Sequence, residues 1–157
     1  MIARNAGAQP VADRGRVTVD VVSLSRMRRL DAEHGPALER MLLHPSERVA
    51  ACDPDRLRCL AASLGTKESW IKARAARPAG WTFDRGAFSP CEAAALPVAV
   101  HALIDVFVAD LEATTIQAGT VRGYAGGPDE PADGRASAAH WAWHGIVEDW
   151  LVSAVVA

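Results

Sequence analysis

The stretch LGTKESWIKA, residues 64–73, belongs to the longest predicted helix of the chain and puts a carboxylate on the apolar side of that helix. Positions on this side recur at steps of four and three residues, which is the spacing of one face of an α-helix. An ionised carboxylate facing a core is costly unless it gains a partner, a set of hydrogen bonds or a metal. Glu68 therefore needs an explanation, because it stands in the series Leu57, Ala61, Leu64, Glu68, Ile71 and Ala75.

Two explanations follow from the residues around Glu68. In the first, Glu68 forms an ordinary exposed ion pair with Lys72, one turn further along the helix. In the second, Glu68 and Asp20 converge on a divalent cation, since Mg²⁺ takes one or two carboxylates and fills its other positions with water and phosphate oxygens. Lysines beside such a site, here Lys67 and Lys72, would bind the phosphate oxygens.

The composition predicts one cytoplasmic domain. The chain has 157 residues, half of them hydrophobic, which is enough for one domain with a core and too few for two of ordinary size. A formal net charge of -2 gives no overall positive field of the kind that attracts nucleic acid. Three cysteines without a CxxC pair and without a signal peptide favour a reducing, cytoplasmic setting. No apolar run reaches the length that a membrane-spanning helix needs.

The first half of the chain predicts a strand followed by helices. Residues 1–16 mix Gly, Pro and charge without a period and predict a flexible leader, so one domain is expected over residues 17–157. VTVDVV alternates as a strand does and places Asp20 near the strand end. Three helices follow: SRMRRLDAEHG, capped by Ser23 or Ser25 and ended by Gly35; Pro36 to Leu43; and the long helix of Glu68, capped at Asp53 and Pro54.

The second half predicts a helix and a closing pair of strands. WTFD, residues 81–84, predicts a short strand, and a helix is expected from Ala94 to about Ala113. Residues 123–134 predict a loop, and ASAAHWAW and DWLVSAVVA have strand character. The predicted fold class is therefore α+β, with helices packed on a small antiparallel sheet that the C-terminus completes.

Three arginines form a compact cationic surface on the first predicted helix. Arg26, Arg28 and Arg29 suit the docking of an acidic protein partner, and the alternative is an ordinary solvated basic face of the helix. The same surface leaves open a different class of function, a small helical regulator that binds nucleic acid.

The order of these segments resembles the 4′-phosphopantetheinyl transferases, especially the short acyl carrier protein synthase (holo-ACP synthase) type. The quoted segments are VDVVSLSRMRR, HGPALERMLLHPSER and RCLAASLGTKESWIKA, which together span about residues 17–73. In that family a strand ending in Asp is followed by a helix with arginines and then by a helix carrying KE(A/S)xxK. AWHGIVEDWLVSAVV, residues 142–156, is similar to the closing strands of the family. The resemblance implies the 4′-phosphopantetheinyl transferase-like α+β fold, with a single copy of its lobe, in which a small antiparallel sheet packs on helices.

The resemblance also implies a reaction and its residues. The reaction is the Mg²⁺-dependent transfer of 4′-phosphopantetheine from coenzyme A to a serine of an acyl carrier protein or carrier domain, in fatty acid, polyketide or peptide biosynthesis. Asp20 and Glu68 correspond to the metal ligands, and Glu68 is also the candidate for orienting or deprotonating the serine hydroxyl. Lys67 and Lys72 correspond to the two lysines of the motif, of which Lys72 lies near the phosphates.

The resemblance also implies roles for a C-terminal histidine and for the arginines of the first helix. His144 corresponds to the histidine that contacts coenzyme A, and His140 is the alternative. As an HxxxH pair the two histidines could instead bind zinc on a helix, although the alternation around them favours a strand. Arg26 falls at a position that the family uses to grip the carrier protein.

Short chains of this family assemble with their sites between subunits, so the resemblance implies a homo-oligomer, specifically a trimer. It implies neither a nucleic-acid partner nor a membrane partner. An alternative within the family is a relative that has lost activity and serves as a carrier-protein-binding module.

Overall fold

The computed structural model of the chain describes residues 16–48, 56–74, 81–123 and 139–156. Only Arg16 of the predicted leader falls within these ranges. The helices and strands in chain order are β1 (Val17–Ser23), α1 (Leu24–His34), α2 (Pro36–Leu42), α3 (Pro45–Arg48), α4 (Arg56–Ala73), β2 (Gly86–Pro90), α5 (Val98–Leu111), β3 (Thr114–Gly123), β4 (His140–Val147) and β5 (Trp150–Val156).

The five strands form one antiparallel sheet in the order β1-β5-β4-β3-β2, so the predicted α+β class is confirmed. One face of the sheet carries α4, against which α1 and α2 pack through a shared core that includes Met27, Leu42 and Leu60. The other face is partly covered by α5, whose Val100 joins a cluster with Trp143 of β4. Within the described residues, no helix has both the length and the apolar composition that crossing a membrane requires.

Strand β1 has the predicted alternation. Thr18 and Val22 are buried towards α4, whereas Val17, Val19 and Val21 on the other face are exposed. Asp20 points to the side of Thr18 and Val22, because side chains two residues apart share a face of a strand. The expectation that Asp20 lies near the strand end is wrong: Asp20 is in the middle of β1, because the ladder with β5 continues to Ser23, which pairs with Trp150.

Hydrogen bonds fix α4 across β1 and β5. The Thr18 hydroxyl donates to the carbonyl of Ser69 at 2.8 Å, and the Ser69 hydroxyl donates to the carbonyl of Ser153 at 3.2 Å. Gly65 permits the close approach, since a Cβ atom there would lie 2.6 Å from the Ser153 hydroxyl oxygen. This contact places the C-terminal half of α4 beside Asp20.

The buried side of α4 differs from the predicted one. Of the predicted series, Ala61 is fully buried, Leu57, Leu64, Glu68 and Ile71 are only partly buried, and Ala75 lies outside the described residues. The fully enclosed positions on the neighbouring side include Leu60, Ser63, Lys67 and Trp70. Apart from Ala61, the predicted series is therefore the border of the buried side, and among the described residues Lys67 is a charged residue that lies in the interior.

Helix α1 begins and ends where the sequence predicts. The Ser23 hydroxyl caps α1 by accepting a hydrogen bond from the backbone N–H of Arg26 at 3.2 Å. Gly35 ends α1 with a φ of 44°, a left-handed conformation that glycine adopts without steric cost. The turn between β4 and β5 is attached to α1, because the backbone N–H of Leu24 donates to the carbonyl of Asp149 at 2.9 Å.

Two predictions in the second half need correction, and one strand was not predicted. WTFD is not a strand, because Phe83–Arg85 form a 3₁₀ turn and β2 begins only at Gly86. The helix expected from Ala94 begins at Val98, directly after its N-cap residue Pro97, because a proline disfavours the helical conformation of the residue before it. Strand β3 was not predicted, whereas the closing pair of strands is confirmed.

Candidate active site

Asp20 and Glu68 line the same cavity, which has a volume of about 570 Å³. The cavity lies between β1, α1 and α4, and Trp150 at the start of β5 forms part of its wall. Its other charged lining residues are Arg26 and Arg29, and its remaining walls are largely apolar. The sequence-based prediction that Asp20 and Glu68 approach each other is consistent with this placement, and the cavity combines two carboxylates with two guanidinium groups.

Lys72 pairs with Asp20 and not with Glu68. Its ammonium group contacts the Oδ1 atom of Asp20 and donates to the carbonyl of Val19 at 3.3 Å. The half-buried Glu68 carboxylate has neither an ion pair nor a hydrogen bond with any residue in the described ranges. The exposed helix pair between Glu68 and Lys72 therefore does not form, and Glu68 is available to a ligand of the cavity.

The donors of this first cavity fit Mg²⁺. Two carboxylates from different elements, with space for water and phosphate oxygens, match the way in which proteins bind Mg²⁺ together with a phosphorylated substrate. Across the described ranges there is no group of three or more His, Cys, Asp or Glu side chains placed to bind a metal without such a substrate. Lys72, on Asp20, adds a positive charge at the edge of the same site.

Lys67 does not reach the first cavity. Its side chain is fully buried, and its Nζ atom lies 2.6 Å from both the carbonyl oxygen of Leu42 and the Oε2 atom of Glu47. Burial lowers the pKa of Lys67 to about 8, although the charge and hydrogen bond of Glu47 oppose that shift. The structure thus separates the two lysines of the motif, with Lys72 beside Asp20 and Lys67 inside the protein.

A second cavity, of about 360 Å³, lies between α3, α4, β2 and β4 and shares no lining residue with the first. The polar residues of this cavity come from five separate segments. For that reason no sequence pattern predicted that most of them would form a site. They are Ser46, Glu47, Arg58, Ser63, Ser89, Gln117 and His144. Because the ammonium group of Lys67 neutralises the Glu47 carboxylate, the cation Arg58, the histidine and the hydroxyl groups make this cavity suitable for an anionic, hydrogen-bonding ligand.

His144 lies in the wall of the second cavity and is 1% exposed. Its ring packs edge-on against Phe88, with 5.3 Å between the ring centroids. Within the described residues, the Nδ1 atom of His144 has no hydrogen-bond partner. His140 lies on the same strand and lines neither cavity, and because both histidines are on β4, the helical zinc pair is wrong.

Acidification should destabilise the protein through His144. Burial, with the nearby charge of Arg58, lowers the pKa of His144 from 6.5 to about 4 in the folded state. Below pH 6.5 the unfolded chain therefore binds a proton that the folded chain does not, and the free energy of unfolding falls with pH by up to about 3 kcal/mol. Urea unfolding at several pH values between about 6.5 and 4 measures this slope. The His144→Gln variant should lack it, and equal slopes for both proteins would contradict the assignment.

The three arginines of α1 do not share one environment. All three are exposed, but only Arg26 and Arg29 line the first cavity. Arg28 lies on another side of the helix, near Asp149, and helps to lower the pKa of the Asp149 carboxyl, which is set mainly by hydrogen bonds from Ser25. The predicted cationic surface is therefore divided between the cavity mouth and the adjacent turn.

A comparison with protein-family models gives no match, and a comparison with curated protein sequences gives none either. Solved structures of similar shape exist. The holo-[acyl-carrier-protein] synthase from Neisseria meningitidis is 17% identical, with a TM-score of 0.49, over 90% of this chain and 94% of that chain.

Two further structures are similar to the same extent. The holo-ACP-synthase from Plasmodium yoelii is 8% identical, with a TM-score of 0.47, over 90% of this chain and 91% of that chain. The Helicobacter pylori holo-[acyl-carrier-protein] synthase in complex with coenzyme A is 18% identical, with a TM-score of 0.47, over 90% of this chain and 98% of that chain. At these values the likeness concerns the course of the chain, and the chemistry has to come from the residues of the two cavities.

Proposed function

We propose that the chain is a Mg²⁺-dependent transferase that moves 4′-phosphopantetheine from coenzyme A to a serine of an acyl carrier protein or carrier domain. One observation carries the proposal: Asp20 and Glu68, from a strand and a helix distant in sequence, line one cavity with Arg26 and Arg29. The ammonium group of Lys72 contacts the Asp20 carboxylate and adds a positive charge at the same site. Carboxylates for a metal, cations for phosphates and an unpaired carboxylate for a proton are what this reaction needs.

In the proposed reaction, the serine hydroxyl oxygen attacks the phosphorus that carries pantetheine. A new bond from phosphorus to the serine oxygen forms, the bond to the bridging oxygen of the pyrophosphate breaks, and adenosine 3′,5′-bisphosphate leaves. Glu68 takes the proton of the hydroxyl, directly or through a water molecule. Lys72 and the arginines at the cavity mouth stabilise the charge that develops on the phosphate oxygens. When bound by Asp20 and Glu68, Mg²⁺ supplies further neutralisation of the pyrophosphate.

The second cavity is assigned to the nucleotide half of coenzyme A. Arg58 supplies a cation for a phosphate, and the exposed Ser89 supplies a hydroxyl group for a hydrogen bond. His144 supports this assignment, because a buried ring nitrogen without a partner in the described ranges is the kind of group that a ligand satisfies. The role suggested for His144 by sequence is kept in this proposal.

A homotrimer would bring the two cavities together. Within one chain they share no lining residue, and in this proposal one coenzyme A molecule uses the first cavity of one subunit and the second cavity of its neighbour. Val17, Val19 and Val21 support such an assembly, since they leave an apolar stripe 37–51% exposed on an edge strand. Val21 also lines the first cavity, which would place the subunit contact beside the site.

The carrier protein is the proposed macromolecular partner. Arg26 and Arg29 at the mouth of the first cavity, with Arg28 beside them, would attract an acidic surface around the target serine. A reducing, cytoplasmic setting remains part of the proposal, because such carriers act there in biosynthesis.

Intact-mass spectrometry of apo carrier proteins tests the proposed function. A panel of carriers is incubated with the protein, coenzyme A and Mg²⁺, and at least one should gain the mass of a single phosphopantetheine group. Omission of Mg²⁺, or addition of a chelator, should prevent the gain. A folded protein that binds carriers but modifies none would indicate the inactive carrier-binding relative. Strongly salt-dependent binding to duplex DNA, with no carrier binding, would indicate the nucleic-acid regulator.

A further inference from the structure

Glu47 is the centre of a buried hydrogen-bond network in the wall of the second cavity. Its carboxylate accepts from the ammonium of Lys67 at 2.6 Å and from the hydroxyl of Ser63 at 3.2 Å. It also accepts from the backbone N–H groups of His44 at 2.8 Å and of Phe88 at 3.0 Å. Four donors from three separate segments therefore converge on one side chain.

These contacts join three of the five segments that line the cavity. The bond from His44 completes the first turn of α3 as a capping box does, with the third helical residue reaching back to the residue before the helix. Ser63 and Lys67 are one turn apart on α4, and Phe88 belongs to β2. Phe88 in turn packs against His144, so the network sets the position of the ring that faces the cavity.

Lys67 is the only charged donor to Glu47 in the described part of the chain, and it is 0% exposed. Its second bond, to the carbonyl of Leu42, attaches the end of α2 to α4 as well. An ammonium enclosed in this way has no free path to a ligand of either cavity. Its charge pairs with Glu47 inside the protein, where a hydrogen-bonded ion pair specifies a single arrangement of the groups that it joins.

We propose that Lys67 is a positioning residue, which through Glu47 holds α3, α4 and β2 in the arrangement that binds the nucleotide of coenzyme A. The inference rests on the proposed function, because it takes the second cavity as the nucleotide site. It changes the role suggested by the sequence motif: Lys67 shapes the wall of the site and makes no contact with the phosphates.

Binding of adenosine 3′,5′-bisphosphate, measured by calorimetry, separates positioning from direct contact. Lys67→Met and Glu47→Gln should each weaken binding by about tenfold or more, and the double variant should be no weaker than the worse single one, because both remove the same network. Lys67→Arg should recover part of the loss by keeping the charge near Glu47. If Lys67 touched the phosphates directly, Glu47→Gln would leave binding unchanged, which would overturn the inference.

Steady-state kinetics and hydrogen exchange complete the test. The Lys67→Met variant should raise KM for coenzyme A while kcat stays within about twofold, because Asp20 and Glu68 belong to the other cavity. The backbone amide of Phe88 should exchange faster in Lys67→Met than in the wild type, independently of any nucleotide. Unchanged exchange and unchanged binding in a folded variant would overturn the positioning role alone. Failure of the wild type to bind the nucleotide would instead overturn the proposed function.

Discussion

Replacing Glu68 with Gln should lower the rate of phosphopantetheine transfer by about 10³-fold or more and leave the protein folded. The substitution keeps the size and hydrogen-bonding capacity of the side chain but removes the charge that would bind Mg²⁺ and accept the serine proton. Glu68 is half-buried and has no partner in the described ranges, so folding loses no ion pair. Intact-mass assays of transfer, with thermal unfolding beside them, measure both quantities.

Two other variants make this result specific. Asp20→Asn should reduce transfer similarly, since Asp20 lines the same cavity. Glu33→Gln makes the same chemical change on an exposed part of α1, outside both cavities, and should leave transfer unchanged. A Glu68→Gln protein that folds normally and transfers at the wild-type rate would rule out the assignment of Glu68.

Mixing two inactive variants should restore activity if each site is built from two subunits. Glu68→Gln disables the first cavity, and Arg58→Glu disables the second by placing an anion where a phosphate would bind, for a loss of about 10²-fold. In a ring of identical contacts, each site takes its two cavities from neighbouring chains. Random assembly of equal amounts leaves roughly one quarter of the sites with both cavities intact, so about a quarter of the wild-type activity should return.

The recovered activity requires oligomers that contain both variants, and this requirement can be tested. Mixed oligomers formed by coexpression should be active, whereas the same two variants assembled separately and then combined without exchange should stay inactive. A protein that remains monomeric by mass measurement, or mixed oligomers without recovered activity, would contradict the composite site.

Lys67 and Glu68 show which features of the site could be predicted from helical periodicity and which could not. The motif identified α4 and the pair of Asp20 and Glu68, because those residues follow from local patterns and from the family resemblance. The spacing could not show that Lys67 is the more deeply buried of the two, since lysine is rarely enclosed without a partner. That partner, Glu47, comes from a different segment and is recognisable only once the chain has folded.

Strand β3 was missed for a physical reason. Its buried positions alternate correctly, but two of them are Gly119 and Gly123, which give no apolar signal. Glycine is required at position 119, where a Cβ atom would lie 2.2 Å from the backbone oxygen of Ser89 in the neighbouring strand. A strand whose inward residues are glycines therefore does not show the alternation of apolar side chains on which strand prediction depends.

The second cavity was less predictable than the first. His144 was identified through the family resemblance, whereas Arg58, Ser63 and Ser89 have no common sequence pattern. They meet because β2 lies beside α3 and α4, with the backbone N–H of Phe88 donating a hydrogen bond to Glu47. Cavities assembled from several loops and edges require the tertiary structure, even where each residue type is ordinary.

Binding of Mn²⁺, as a spectroscopic substitute for Mg²⁺, tests the central claim that Asp20 and Glu68 form one metal and pyrophosphate site. Electron paramagnetic resonance can follow free Mn²⁺ during titration of the protein in the presence of coenzyme A, without any carrier protein. The wild type should bind one Mn²⁺ per chain, and Asp20→Asn and Glu68→Gln should each lose that binding while Glu33→Gln keeps it. Equal Mn²⁺ binding by all four folded proteins would contradict the claim.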